Sequence, residues 1–338
     1  MTHAARLDTS VDYMNAYESL RGFLLDDLAA LDKAIERELR SSVSLVPELS
    51  KYIISAGGKR LRPLLTLAFA KLFGYEGASH VTLATSVEFI HTATLLHDDV
   101  VDGSLERRGQ AAAHTVWGNK ASVLVGDFLF SRAFKLLSEV KSTEIWDVMS
   151  SCTTEMAEGE VLQLTHAYDL KMGRDVYRKI INCKTAALFE GATKVGAILS
   201  GRSQAEIEAV GSYGRNLGFV FQLIDDLIDY RSKTSEMGKG QGDDLREGKI
   251  TLPVLLAYEV ATPDERAFWE RIFDHQEVQE GDLEKAVDTM QSHQVFEQII
   301  HMAHEYGVKA KASLEALPAH PMKQGLSDMI DYCIYRSL

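Results

Sequence analysis

Proline is scarce in this 338-residue sequence: six occur, at Pro47, Pro63, Pro253, Pro263, Pro318 and Pro321. None falls between 64 and 252, so no breaker of that kind interrupts a helix there, and the interval reads as consecutive helices. Apolar residues support this by recurring at three and four, as in Leu83, Val87, Ile90 and Thr94, or Val123, Leu124, Phe128 and Leu129. Strand-like alternation bounded by Asn-Gly or Asp-Gly turns is lacking. The three cysteines, Cys152, Cys183 and Cys333, are odd in number and far apart, which excludes a disulfide framework and a thiolate zinc site. Positive charge is in deficit, with 36 Lys and Arg against 49 Asp and Glu and a net charge of -13, so nucleic acid is excluded as a partner. A phosphorylated small molecule stays open wherever cations gather locally. No run reaches the ~18 apolar residues of a membrane span, and the first twenty residues lack the apolar core of a signal peptide. A cytoplasmic protein is expected, with residues 1–14 a poorly ordered tail.

What is present is acidic and repeated. Asp98-Asp99-Val100-Val101-Asp102 follows a helical pattern from about Thr82, and Asp225-Asp226-Leu227-Ile228-Asp229 repeats its spacing. Carboxylates four apart share one helical face and repel by roughly 0.2–0.5 kcal/mol per pair, a cost that a cation offsets. His91 lies two turns before Asp98 on that face, and Gln222 one turn before Asp225. A single such motif is often a solvated helix end. Here both sit in apolar runs, TATLLHDDVV and FVFQLIDDLI, where bare carboxylates are costly to desolvate. Oxygen ligands without thiolates suit a hard ion such as Mg²⁺, held jointly with a substrate phosphate.

The cations cluster too. Gly57-Gly58-Lys59-Arg60-Leu61-Arg62-Pro63 joins a flexible Gly pair to three positive side chains, and Arg107-Arg108-Gly109 follows the first acidic motif. Lys184-Thr185, Lys239 and Lys249 lie in or near the later motifs. Each alone reads as a surface charge; with six aspartates they form a site for two diphosphates, one held through metal and one by direct Lys and Arg contacts. The segment from Ser232 to Pro253, with four glycines, reads as a mobile loop. Pro263 to about Pro321, charged and rich in Glu and Gln, reads as solvated peripheral helices.

In this order the motifs resemble those of the trans-isoprenyl diphosphate synthases, or polyprenyl synthetases: GGKRLRP (57–63), DDVVD (98–102) with RRG (107–109), KT (184–185), FQLIDD (221–226) continuing to Asp229, and GKGQGDDLREGK (238–249). The resemblance implies an all-α fold in a single domain over 1–338, helices around a deep central cavity, and a homodimer. It implies three Mg²⁺ ions per site, with Asp98, Asp102 and Asp225 as main ligands and Asp99, Asp226 and Asp229 in support. Arg107, Lys184, Lys239 and Lys249 match residues that bind the allylic diphosphate, and Thr185 and Gln222 turn oxygen dipoles toward the carbocation. Lys59, Arg62, His91 and Arg108 match the metal-free pocket for isopentenyl diphosphate. The implied reaction ionises the allylic diphosphate, adds isopentenyl diphosphate head to tail and eliminates a proton.

In this family the product grows beside the helix of the first motif, and bulk four or five residues before the first Asp stops it. Those positions are Thr94 and Ala93, both small, so the tunnel is expected to continue toward Ile90, Val87 and Ser86, with Leu124, Phe128 and Phe134 as candidates for its floor. The motif also lacks the two-residue insertion of many short-chain enzymes. The likeness is therefore to long-chain bacterial synthases that extend farnesyl diphosphate to C40–C50 products for quinone side chains, with loose membrane association through the product. The C-terminus lacks the basic cluster that helps some short-chain members to close. A terpene cyclase has no need of GGKRLRP and RRG, an HD-type phosphohydrolase leaves the second acidic motif unexplained, and a non-catalytic subunit would be expected to lose a motif. A short-chain farnesyl or geranylgeranyl diphosphate synthase, or a non-catalytic subunit of a heteromeric prenyl synthase, remains the alternative.

Overall fold

The computed structural model describes residues 17–231 and 241–336; the expected tail at 1–14, and Lys239, lie outside them. In chain order come α1 (Leu25–Glu38), α2 (Leu45–Ser55), α3 (Leu61–Leu72) and α4 (Ser79–Asp102). A hairpin of β1 (Glu106–Arg107) and β2 (Gln110–Ala111) follows, then α5 (Ala113–Trp117), α6 (Asn119–Val140), α7 (Thr143–Thr165) and α8 (Gly173–Ile181). A π-helical turn at Asn182–Ala186 leads into α9 (Ala187–Leu199) and α10 (Gln204–Arg231). The chain then forms α11 (Asp243–Arg246), α12 (Leu252–Val260), α13 (Pro263–Phe273), α14 (Asp282–Ser292), α15 (Val295–Glu315) and α16 (Met322–Tyr335). The fold is all-α, and no helix among the described residues is long and apolar enough to cross a membrane.

Helix α4 is buried on nearly every side because α3, α6 and α9 surround it, so its apolar residues form no single stripe. It ends just after the first acidic motif, where Gly103 takes φ 66° and returns its N–H to the Asp99 carbonyl. Helix α10 carries the second motif and lies against α9. Side chains at two of its glycines would collide with that neighbour: a Cβ at Gly214 would stand 2.5 Å from the Phe189 oxygen, and one at Gly218 would stand 2.6 Å from Ala186 Cα. Their absence brings the second motif close to the π-turn that carries Lys184 and Thr185.

Three expectations are corrected. Residues 106–111 form a β-hairpin rather than helix: its two-residue loop, Arg108-Gly109, has φ of 53° and 74°, the positive pair that a type I′ turn requires. The segment from 263 to 321 is not peripheral. Thr262 and Glu265 form a capping box that starts α13, and Trp269, Phe273, Val295, Ile299 and Ala303 are fully buried, with α15 packed along α10. The part of the glycine-rich loop that is described is ordered: Asp229 accepts hydrogen bonds from the N–H groups of Asp243 and Asp244, both 3.2 Å, and anchors the start of α11.

Candidate active site

One cavity of about 960 Å³ opens between α4 and α10, and its walls carry both acidic motifs. Asp98 and Asp102 line it from α4; Asp225, Asp226 and Asp229 line it from α10. Asp99 does not: it points away, fully buried, and its Oδ1 accepts from Arg107 at 2.5–2.6 Å while Oδ2 has no partner. Arg107 is thereby fixed at the cavity edge from the hairpin.

The α4 wall is countered by two cations from elsewhere. The Lys249 ammonium bonds Asp102 at 2.6 Å and Glu247 at 2.7 Å. Burial works to lower its pKa, but Asp102, Glu247 and Asp244 outweigh burial and hold it above its usual value. The Lys184 ammonium lies 2.5 Å from Glu160, 2.7 Å from the Gln163 carbonyl oxygen and 3.9 Å from Asp98. Burial pushes the Asp98 carboxyl up to about 6 against the pull of Lys184, with Glu160 and Asp102 adding to the rise. On the opposite wall the Thr185 hydroxyl donates to Gln222 Oε1 at 2.7 Å, Gln222 Nε2 donates to Asp226 at 2.7 Å, and the Tyr177 hydroxyl donates to Asp226 at 2.5 Å. Burial nonetheless raises Asp226 to about 8, with Asp244 adding to the effect and the two hydrogen bonds opposing it.

Farther in, Lys59, Arg62, His91 and Arg108 share the cavity and form a metal-free cationic end. Arg108 reaches it because Gly58 clears the way: a Cβ on Gly58 would stand 2.5 Å from the guanidinium. Arg62 is held against the Phe189 ring, 4.3 Å from its centroid, and burial lowers its pKa to about 10. Burial, then Arg62, Arg108 and Arg107, push the His91 imidazole well below its usual range, so it is neutral. Glu88 is buried beside this group, 3.8 Å from Arg60, with one carboxylate oxygen unpartnered.

Among the described residues no three His, Cys, Asp or Glu side chains converge tightly enough to hold an ion alone. Asp98, Asp102 and Asp225 face one cavity as an all-oxygen donor set, which fits Mg²⁺ when diphosphate oxygens complete its shell. Of the chain-length residues, Thr94 lines the cavity together with Leu95, whereas Ala93 and Ile90 are fully buried among neighbouring helices. A step of about 100° places Ala93 on the adjacent face of α4, whereas Ile90 lies one turn before Thr94 on the same face, covered by neighbouring helices. Leu124 is 66% exposed and cannot be a tunnel floor within one chain. Phe128 and Phe134 are partly buried, and Phe134 meets Phe130 and Trp146.

Several cavity residues escaped the sequence reading, among them Tyr17, Glu88, Gln163, Tyr177, Asp244 and Arg336. Arg336, in a C-terminus noted only for what it lacks, hydrogen-bonds Asp225 and closes the cationic end. Its signal was a lone arginine, which no spacing distinguishes.

Comparison with known proteins agrees with this geometry. The polyprenyl synthetase profile matches residues 43–290. An octaprenyl diphosphate synthase of Escherichia coli (strain K12) is 43% identical over 323 residues, which cover 94% of this chain and 98% of that one. The crystal structure of a polyprenyl synthase from Caulobacter crescentus CB15, complexed with calcium and isoprenyl diphosphate, has a TM-score of 0.93 at 44% identity, covering 95% of this chain and 98% of that one. A decaprenyl diphosphate synthase from Rhodobacter capsulatus has a TM-score of 0.90 at 46% identity, covering 95% and 99%. The chain belongs to the polyprenyl synthetase family.

Proposed function

We propose that this chain is a Mg²⁺-dependent trans-prenyltransferase that extends an allylic diphosphate, farnesyl diphosphate in particular, with isopentenyl diphosphate to a C40–C50 product. The observation that carries the reading is the division of one cavity into two anion sites. One is bounded by Asp98, Asp102 and Asp225 with Lys184 and Lys249; the other is a cationic end of Lys59, Arg62 and Arg108, where the cations outnumber the neighbouring Glu88 and Asp225 carboxylates. Two diphosphates bound in these two modes are what a head-to-tail condensation needs. Octaprenyl and decaprenyl diphosphate synthases among the relatives support the long product, and the Caulobacter protein's calcium and isoprenyl diphosphate support a divalent ion beside a diphosphate.

Asp98, Asp102 and Asp225 would hold Mg²⁺, which when bound supplies positive charge against a diphosphate leaving group. Lys184, Lys249 and Arg107, already directed at that end, add fixed cations against the same charge. Breaking the allylic C–O bond leaves a carbocation, toward which the oxygens of Thr185 and Gln222 present their lone pairs. Isopentenyl diphosphate, held by Lys59, Arg62 and Arg108, attacks with its double bond, and the proton then lost passes to the departed pyrophosphate. No side chain need act as a dedicated base. Tyr177 keeps Asp226 in place, and the aromatic and aliphatic lining, including Phe189, Phe221, Leu95 and Met156, keeps water from the cation.

Growth runs past Thr94, the small residue that opens the turn of α4 before Asp98 toward the cavity. A homodimer follows from exposed apolar side chains on and beside α6 and α7, Val116, Leu124, Trp146, Val161 and Leu164, which a second copy would cover. Use of the product in quinone side chains, and loose association with membranes through it, complete the reading. Purified protein incubated with Mg²⁺, farnesyl diphosphate and excess isopentenyl diphosphate, with product length read by mass spectrometry, tests it. A C40–C50 diphosphate is expected. A product stopping at C20 would establish a short-chain synthase, and no condensation with any allylic primer would establish a non-catalytic subunit.

A further inference from the structure

Lys59 is held differently from the other lysines of the cavity. Lys184 and Lys249 each rest on carboxylates, whereas Lys59 forms no ion pair among the described residues; its ammonium lies 4.6 Å from the centroid of the Tyr332 ring. Tyr332 is buried in α16, and its ring stacks on Tyr17 with centroids 5.5 Å apart and planes 10° from parallel. The Tyr17 hydroxyl in turn donates to the Lys59 carbonyl at 2.7 Å, and Arg21 donates to that hydroxyl at 3.1 Å. Two stacked rings, one from each end of the chain, thus grip one residue at both its backbone and its ammonium. That residue follows Gly57 and Gly58, whose φ of 85° and 148° mark a stretch with little conformational preference of its own.

An aromatic face and a carboxylate hold a cation with opposite consequences. A carboxylate neutralises the ammonium and competes with an incoming diphosphate. A ring face attracts it through the quadrupole and leaves its full charge for the ligand. The weak compensation shows in Lys59 itself, whose pKa is lowered by burial and by the neighbouring Arg336, with Cys333 and Asp225 opposing the shift only in part. Burial pushes the Tyr332 hydroxyl up to about 12, so the ring stays neutral over the working pH range.

We propose that Tyr332 is a positioning residue for the isopentenyl diphosphate subsite: stacked on Tyr17, it holds the Lys59 ammonium by a cation–π contact, aimed into the cavity with no carboxylate paired to it among the described residues. The proposal rests on the reading of Lys59 as a contact to isopentenyl diphosphate, and its test separates the two. The full chain is prepared as wild type, as Lys59→Ala, as Tyr332→Phe, and with mono-, di- and trifluorinated phenylalanine at 332. Fluorination keeps the shape of the ring and weakens its quadrupole stepwise. Initial rates with Mg²⁺ and farnesyl diphosphate give KM for each substrate and kcat. The expected result is a rise in KM for isopentenyl diphosphate with each fluorine, about three- to tenfold from Phe to trifluoro-Phe. The KM for farnesyl diphosphate and kcat stay level along the series, and Tyr332→Phe stays near wild type. In the Lys59→Ala background the same series is flat. A flat series with Lys59 present overturns the proposal while Lys59→Ala still raises that KM. A Lys59→Ala variant with unchanged KM overturns the subsite reading itself.

Discussion

The Arg336 guanidinium, almost fully buried at the end of α16, hydrogen-bonds the Asp225 carboxylate and lies 4.1 Å from the centroid of the Phe221 ring one turn earlier on α10. The contact joins the C-terminus to the first aspartate of the second motif, 111 residues away in sequence. It also places a permanent cation between the carboxylate wall and the Lys59 end of the cavity, where it depresses the pKa of Lys59.

Arg336→Ala is therefore expected to act at the cationic end. Loss of a charge-assisted contact in a buried setting corresponds to about a 10- to 100-fold rise in KM for isopentenyl diphosphate. The far-ultraviolet circular dichroism should be unchanged, since Arg336 caps α16 beyond its last turn and leaves the buried Tyr332, Cys333 and Ile334 in place. Arg336→Lys keeps the charge without the planar fork that spans Asp225 and Phe221, and should recover only part of the loss. Steady-state kinetics on the three proteins decide it; an unchanged KM in Arg336→Ala would show that the contact is a bystander.

That arginine also marks where the sequence stops being legible. The six aspartates and GGKRLRP can be read directly because their chemistry demands particular residue types within a few positions of one another. Arg336, Tyr332 and Glu88 do their work through contacts between distant elements, and nothing in their local spacing separates them from ordinary helix residues. The π-turn at Asn182–Ala186 has the same origin, since it arises where α8 and α9 meet the glycine face of α10. The burial of α15 was visible in principle: Val295, Ile299, Ala303 and Ala310 follow helical spacing, but its many Glu, Gln and Lys residues obscured the apolar face. The hairpin at Arg108-Gly109 is too short for alternation to register, and only the glycine hinted at the positive φ.

Glu88 offers a prediction about stability rather than turnover. Burial pushes its carboxyl above the usual range, and Arg60, Arg108 and Arg62 pull it back only in part. A carboxyl with a folded pKa above its unfolded value contributes its full stability below the unfolded value of about 4.3, and that stability is lost as pH rises through the folded value. Ionised Glu88 thus costs stability at neutral pH. Glu88→Gln should melt at a higher temperature than wild type at pH 7.5, with the gap closing below about pH 4, where both side chains are neutral. Melting curves at the two pH values test it, and equal Tm at pH 7.5 would mean that the arginines compensate for burial completely.

Asp98→Ala should remove turnover without removing the fold. Asp98 lines the cavity and lies within 3.9 Å of Lys184, and its side chain takes no part in the apolar core. If it holds the metal-bound diphosphate, kcat/KM for the allylic substrate should fall by about a thousandfold or more, in the range seen when a group that stabilises developing charge is lost. Thermal stability should hold or rise, because a carboxylate that burial disfavours has been removed. Wild-type turnover in this variant would sink the assignment of the first motif.

Product length turns on which face of α4 meets the growing chain. Thr94, one turn before Asp98, lines the cavity and uses its hydroxyl on the His91 carbonyl at 2.8 Å. A phenyl ring at that position would fill the first turn of the tunnel, about 5.4 Å along the helix. Thr94→Phe should therefore still condense isopentenyl diphosphate with farnesyl diphosphate at a rate within about tenfold of wild type, because neither anion site has changed. Its product should stop at about C20 rather than C40–C50, as read by mass spectrometry of the reaction mixture. A full-length product from Thr94→Phe would mean that the chain leaves by another face, and the aromatic group around Phe130, Phe134 and Trp146 would then be the next wall to test.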